Sequence, residues 1–390
     1  MKKTVVVGLS GGVDSSVAAY LLKEQGYRVI GIYMINWHDT TGVLQGDCPA
    51  NDDLIFAKLV ARKLDIEFHS VDLSEEYKKR VVDYMFSEYQ KGRTPNPDVL
   101  CNREVKFDLF VEVAKKYNAD FVATGHYAQK ETINKNGQEI YRLLAGADNN
   151  KDQSYFLCQL SQKQLSIALF PIGHMQKPEL RKLAKKVELA TADKKDSQGI
   201  CFVGKVDLPT FLQQKLEPKK GNVVEIPKSY YDNLPEPETI EEMAKPYRYF
   251  KRDGEVIGRH NGAHYYTIGQ RKGLNIGGKP EPLFVISTNV KHNIIFVGQG
   301  KNHPGLFRKA LFIKQDEIHW VRPDLAHKAG ESEDYLVRIR YRQPLQKATI
   351  YFKEEGAYIV FDEAQRGITA GQFAAWYKNN ELIGSGVINE

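Results

Sequence analysis

The chain contains no apolar run long enough to cross a bilayer, so no transmembrane helix and no membrane partner is expected. It also lacks any CxxC pair, since Cys48, Cys101, Cys158 and Cys201 are scattered widely. Their spacing argues against a structural zinc site and against a secreted disulfide framework. No Gly-Lys-Ser/Thr follows the first glycine-rich turn, which excludes a Walker A loop. A strong excess of one charge is missing too. The net charge of +6 is compatible with a nucleic-acid partner but too small to require one. Met1-Lys2-Lys3 runs straight into an apolar strand without a small-residue cleavage site, so no signal peptide is expected and the cytoplasm is the expected location. What remains is 390 residues of ordinary globular composition, 42% hydrophobic and 27% charged. That length suits two or three domains.

The most informative stretch is Val5–Ser16, VVVGLSGGVDSS. Three valines running into Gly8 and Leu9 read as a buried strand, because parallel strands covered on both faces are continuously apolar. Ser10-Gly11-Gly12 breaks the pattern, and Val13, Val17 and Leu21 then recur at helical spacing. A glycine turn between strand and helix leaves backbone N–H groups free where the helix dipole favours anions. Two glycines remove the side chains that would hold a phosphate away from that backbone. An ordinary βα turn is the plainer reading, but the residues match SGGxDS, the motif of the pyrophosphate-loop ATPases.

Strand and helix alternate through the first half. Strands are expected at Arg28–Met34, Glu67–Val71 and Asp120–Thr124, with helices at Leu54–Leu64, Glu75–Tyr89 and Val105–Tyr117. This rhythm predicts α/β architecture, a doubly wound parallel sheet with its ligand at the carboxyl ends of the strands. Met34 and Gly125-His126 end strands at that edge. The segment Arg93–Cys101, RTPNPDVLC, is a proline-stiffened loop entering a helix. Asp98 is its candidate N-cap, which puts Cys101 in the first turn, where the dipole favours thiolate. Cys158 reads as core, Cys48 as a loop residue without a role, and Cys201 as the end of a polar loop, Asp193–Phe202.

Beyond about Phe202 the texture turns to short β patterns. Arg259–Gly278 is rich in basic residues, aromatics and glycine, which suits either nucleic-acid contact or a tight β-turn region. Lys228–Arg252 reads as an inserted surface segment. The last ninety or so residues have the texture of a small β-barrel. There Tyr335–Arg342 alternates, with Val337, Ile339 and Tyr341 on one face and Arg338, Arg340 and Arg342 on the other. That arginine face would be solvated or would serve phosphate contact.

The stretches GLSGGVDSS, TPNPDVLCNREVKF, ATGHYA, NKDQSYFL, KDSQGICF and YYTIGQRKGL, with RYRQ and GQ near the end, occur in order over nearly the whole chain. Together they resemble the tRNA-specific 2-thiouridylases. The resemblance implies a pyrophosphate-loop ATPase domain (1–207), a small mostly-β central domain (208–300, with an insertion near 228–252) and a C-terminal β-barrel (301–390). It implies ATP-dependent 2-thiolation of the wobble uridine of tRNA, by adenylation of the C2 carbonyl oxygen and transfer of a persulfide sulfur. It assigns Gly8, Leu9, Ser10, Gly11, Gly12, Val13, Asp14, Ser15, Met34 and Gly125 to ATP, with magnesium accompanying the nucleotide and no protein residue assigned to metal. Asn96, Pro97 and Asp98 fall on the target base, and His126, Lys151, Asp152, Gln153, Arg340, Tyr341 and Gln372 on tRNA. Cys101 matches the nucleophile, Cys201 the persulfide carrier, and the two would form a transient disulfide. Asp98 would orient the base or shuttle a proton. The partners so implied are tRNAs such as those for lysine, glutamate and glutamine, and a persulfide donor such as a cysteine desulfurase or a sulfur-relay protein. Asp39–Pro49 and Lys228–Arg252 depart from the family pattern. Another pyrophosphate-loop adenylating enzyme, or a non-catalytic RNA-binding protein, are the alternatives; the intact loop, Asp98 and both cysteines favour the thiolation enzyme.

Overall fold

The computed structural model describes residues 2–38, 50–196, 199–201, 203–204 and 206–390. Cys48 and the divergent Asp39–Pro49 stretch lie outside these residues, as do Ser197, Gln198 and Phe202 of the Cys201 motif. The chain opens with β1 (Thr4–Gly8), α1 (Val13–Glu24), β2 (Arg28–Ile35), α2 (Ala50–Lys63) and β3 (Glu67–Asp72). After two helical stretches come β4 (Phe121–Ala123), a hairpin of β5 (Ala128–Lys135) and β6 (Gln138–Ala145), and β7 (Ala168–Leu169). The order β3-β2-β1-β4-β7, parallel at every step, makes the expected doubly wound sheet. Val5, Val6 and Val7 are fully buried, Val6 in one core and its neighbours in the core on the opposite face. Their continuous apolarity therefore reflects burial on both sides, stabilising by roughly 1.5–3 kcal/mol per side chain.

The helix expected at Val105–Tyr117 begins earlier, at Pro97, because Asn96 rather than Asp98 is its N-cap, accepting from the Val99 N–H at 3.3 Å. Pro97 takes the first helical position, where a missing N–H costs nothing. Asp98 is thereby freed to bond elsewhere.

The central domain is a four-stranded sheet of β8 (Gly221–Glu225), β9 (Glu255–His260), β10 (Leu283–Asn289) and β11 (Ile294–Gln299). Lys228–Arg252 is more than the surface insertion expected. Tyr249 is buried against Phe296 and Leu306, and Ala244 packs on Ala310 and Tyr358 of the C-terminal sheet. The segment is a strap joining the two domains.

The C-terminal sheet contains β12 (Phe307–Lys314), β13 (Ile318–Trp320), β14 (Ser332–Arg338), β15 (Gln346–Lys353), β16 (Gly356–Arg366), β17 (Phe373–Lys378) and β18 (Glu381–Val387). Asn389 at the chain end bridges back to Phe312, closing the barrel. The sheet also continues through β18 into β6 and β5 of the first domain. That hairpin carried a readable signal, Asn136-Gly137 at positive φ between two β patterns.

The arginine face proves to be neither solvated nor a stripe. The strand ends at Arg338, which is buried, bonds Asp152 at 2.9 Å and lies over the Tyr377 ring. Arg340 donates to the Arg366 and Gly367 carbonyls, and Arg342, at a φ of 63°, alone is exposed. Packing between domains overrides the period-2 pattern here.

Candidate active site

The strand order reverses between β1 and β4, so the loops leaving their carboxyl ends diverge and open a crevice. The first of these loops is Leu9–Gly12. Its Ser10 N–H bonds the Ser15 hydroxyl at 3.1 Å, and the Ser15 and Ser16 hydroxyls return to the Gly12 carbonyl. Gly11 has a φ of +73°, and a Cβ there would lie 2.2 Å from the Asp53 carbonyl oxygen. Gly125, in the loop after β4, sits so close to α1 that a Cβ would come within 2.6 Å of the Ser15 nitrogen. Gly8 faces Met34, whose methyl group lies 3.2 Å from a notional Cβ. Two loops and the helix start therefore converge, leaving Ser10 exposed and Gly12 and Asp14 half-buried. Amides at such a helix start hold anions.

A charged network that the sequence reading missed surrounds this turn. The Asp14 carboxylate accepts from Lys177 at 2.7 Å and from the Tyr127 hydroxyl at 2.8 Å. Lys177, Lys151 and Arg181 all pair with Asp196, at 2.7, 2.7 and 2.8 Å. Burial would raise the Asp196 carboxyl, but Lys151 and Lys177 outweigh it and hold it down at about 2. Lys194 bridges the Gly11 carbonyl and Asp53. Lys177, Lys151, Arg181 and Lys194 thus gather at the crevice among the Asp14, Asp53 and Asp196 carboxylates. Asp196 and Lys194 lay within the polar cysteine-ending loop; nothing local in the sequence marked Lys177.

That same loop, from Asp193 onward, carries Cys201 to the second centre. The sulfurs of Cys101 and Cys201 are 3.6 Å apart, Cys101 fully buried and Cys201 half-buried. The Cys201 N–H donates to the Asp98 carboxylate at 3.0 Å, and the Tyr77 hydroxyl donates to the Cys201 carbonyl at 2.7 Å. Asn102 ties the Asp98 carbonyl to that of Phe156. Burial, with the facing sulfur, raises Cys101 well above an ordinary thiol. Cys201 is lowered to about 7, because Cys101 donates its S–H and Lys106 adds positive charge against the cost of burial. The expectation of a dipole-stabilised thiolate at Cys101 is thus reversed: the residue lies beyond the first turn, in a desolvated site, and Cys201 carries the charge. Burial raises the Asp98 carboxyl, while the Cys201 N–H and Lys106 act against the rise. Cys158 is core, as expected.

Residues 3–205 match a family described as the tRNA methyl transferase HUP domain, 241–299 its PRC-barrel domain, and 311–388 the aminomethyltransferase beta-barrel domain. The chain is 60% identical over 394 residues to the tRNA-specific 2-thiouridylase MnmA of Christiangramia forsetii, spanning 99% of this chain and 100% of that one. To the MnmA of Karelsulcia muelleri it is 47% identical over 388 residues, and to that of Halalkalibacterium halodurans 46% over 386, covering 99% and 94% of those chains. The chain belongs to the tRNA-specific 2-thiouridylase family.

The remaining positions that the 2-thiouridylase motifs single out are distributed as follows. Asn96 and Pro97 open the Cys101 helix, on a loop held by the other two domains. Gln372 donates to the Thr94 and Pro95 carbonyls at 2.9 and 3.1 Å, and Ala370 accepts from the Thr94 N–H. The Thr94 hydroxyl reaches Thr267 of the central domain at 3.5 Å. Tyr341 lies on Phe156, their ring centres 4.4 Å apart. His126 is buried beside Phe107 and Phe170, bonds the Thr124 hydroxyl, and is held neutral by burial and by nearby Lys106. Gln153 braces Tyr127, and Lys151 belongs to the charged network. Asp152 is the outlier. It is 5% exposed, and its carboxylate is engaged by Arg338 and by the Gly146 and Ser154 amides. In the central domain, a cleft of about 600 Å³ lined by Arg259, Tyr266 and Gln270 carries part of the basic, aromatic Arg259–Gly278 stretch.

Proposed function

We propose that this 2-thiouridylase replaces the C2 oxygen of the wobble uridine of tRNA with sulfur, using ATP and a persulfide on Cys201. The observation that carries the reading is the Cys101–Cys201 pair at 3.6 Å, tied to Asp98, on a fold whose phosphate-binding turn is intact. ATP enters with its phosphates at the Ser10–Asp14 turn, where Lys177, Lys151 and Lys194 supply positive charge. Among the described residues no group of three or more His, Cys, Asp or Glu side chains is placed to hold a metal ion. Magnesium would accompany the nucleotide, as MgATP.

A uracil carbonyl has no good leaving group. Attack of its C2 oxygen on the α-phosphorus expels pyrophosphate and turns that oxygen into phosphate. Cys201 is loaded when its thiolate attacks the outer sulfur of a donor persulfide, releasing the donor thiolate. The terminal sulfur of the Cys201 persulfide then attacks C2, and AMP leaves. The Cys101 thiolate next attacks the Cys201 sulfur, freeing the thiolated base and leaving a Cys101–Cys201 disulfide. If Cys101 attacks earlier, hydrosulfide is released and adds to C2 instead; both routes end in the same disulfide. Closing 3.6 Å to a bond of about 2.05 Å needs only a side-chain movement. A cytoplasmic thiol reductant must then open it. The uridine must leave its stack to reach so buried a pair, and the clamped Asn96–Asp98 loop offers a rigid receiving edge. No helix of the described residues is long and apolar enough to cross a membrane.

The test is single-turnover chemistry. Cys201→Ser is expected to release pyrophosphate but load no sulfur, whereas Cys101→Ser is expected to load sulfur without completing turnover. Normal thiolation by either variant would overturn the assignment.

A further inference from the structure

Lys106 is a charged residue at the thiol pair that the family motifs leave unassigned. It lies on the helical stretch Cys101–Leu109, whose hydrogen bonds are one residue wider than those of an α-helix, as in Phe110 N–H to Val105 C=O. That width sets where Lys106 points. In an α-helix, at about 100° per residue, position 106 would lie roughly 140° around the axis from Cys101. At roughly 4.4 residues per π-turn it returns to within about 50°. π-Segments are rare and cluster at functional sites, and this one turns an ammonium toward the sulfurs. Lys106 hydrogen-bonds the Cys201 sulfur. Burial would strip its proton, but Cys201, Cys101 and Asp98 outweigh burial and keep it charged. Among the described residues, the groups facing the pair are Asp98, Tyr77 and Lys106, with neutral His126 behind Lys106. Lys106 is the cation of that set.

We propose that Lys106 is a catalytic residue, whose ammonium selects Cys201 over Cys101 as the sulfur-accepting thiolate and then balances the anionic Cys201 persulfide. The two thiols share a proton across 3.6 Å, and a hydrogen-bonded cation on one side decides which sulfur keeps the negative charge. The outer sulfur of a persulfide stands about 2 Å further out, within reach of a flexible lysine stem. This role rests on the thiolation reading of Cys201, but it is testable without tRNA or ATP.

The experiment is the pH profile of Cys201 alkylation by iodoacetamide, resolved by peptide mapping, in enzyme alone. Wild type is expected to give a midpoint of about 7. Lys106→Met is expected to raise it by at least a unit, at least about fivefold slower labelling at pH 7, and Lys106→Arg to restore most of the shift. A folded Lys106→Met enzyme with an unchanged midpoint overturns the proposal, and Lys106→Gln is read in the same way if the methionine variant does not fold. Cys101→Ala is the second arm, because it removes the neighbouring S–H donor while keeping Lys106. Its Cys201 midpoint is expected to stay below that of an ordinary thiol; a return to the ordinary value would assign the whole effect to Cys101 and overturn the role of Lys106. If labelling shifts as expected yet tRNA gains no sulfur, the lysine assignment stands and the thiolation reading fails.

Discussion

Gly11 and Gly12 are adjacent, yet substituting them should produce opposite phenotypes. Gly12 is the N-cap of α1 at φ −96° and ψ 162°, an extended conformation that β-branched residues adopt freely. A Cβ there meets only the Ser10 hydroxyl, at 3.4 Å, an ordinary contact. Gly12→Val should therefore cost less than about 1 kcal/mol, the loss of a middling cap residue. Its two methyl groups, however, stand at the turn assigned to the phosphates and should block the backbone amides. Removing donors of this kind costs about 10²–10³ in rate. At Gly11 a side chain must adopt a φ of +73°, costing about 1–2 kcal/mol. It would also lie 2.2 Å from the Asp53 carbonyl oxygen, so the main chain there must move, and Lys194 binds both pieces. The assay is tRNA-stimulated pyrophosphate release beside thermal unfolding. Gly12→Val should unfold like wild type and release pyrophosphate at least a hundredfold more slowly; Gly11→Ala should lose both stability and activity. Wild-type pyrophosphate release from a well-folded Gly12→Val enzyme would refute the placement of the phosphates.

Three further outcomes follow from single contacts. Lys177→Met leaves Asp14 and Asp196 short of a cation in the crevice, and calorimetry should find MgATP affinity lowered about tenfold, a loss of about 1.4 kcal/mol. Arg338→Met strands the Asp152 carboxylate in the domain junction, which should cost about 3–5 kcal/mol in urea denaturation, with Asp152→Asn in the same chain recovering part of it. Gln372→Ala unclamps the Thr94 and Pro95 carbonyls, so KM for tRNA should rise while MgATP binding stays unchanged.

The sheet and the glycine turn were legible because they are local: three valines buried on both faces, then two glycines before a helix. Cys101, Cys201 and Asp98 were legible only through resemblance, since a lone thiol near a helix start says nothing of a partner a hundred residues away. Their electrostatics were not legible at all. The dipole favours Cys101 as thiolate, but full burial raises that thiol, and its S–H, donated to Cys201, lowers Cys201 instead. The arginine alternation near residue 338 misled for the same reason: a period-2 pattern cannot reveal that a neighbouring domain supplies Asp152. Domain packing also argues against removing the barrel to test its role. Tyr155, Gln159 and Ser154 of the first domain bond Phe373, Ser385 and Tyr377 of the barrel in buried contacts, and β18 pairs with β6. A truncation would unfold what it was meant to isolate.

The most direct test of the account is the mass of the tRNA nucleosides after incubation with ATP and enzyme persulfidated on Cys201. The account predicts one uridine, at the wobble position, gaining the mass difference of sulfur for oxygen, and none gaining it when ATP is omitted or Cys201 is serine. A gain equal to a methyl group, or sulfur incorporation that proceeds without ATP, would contradict it.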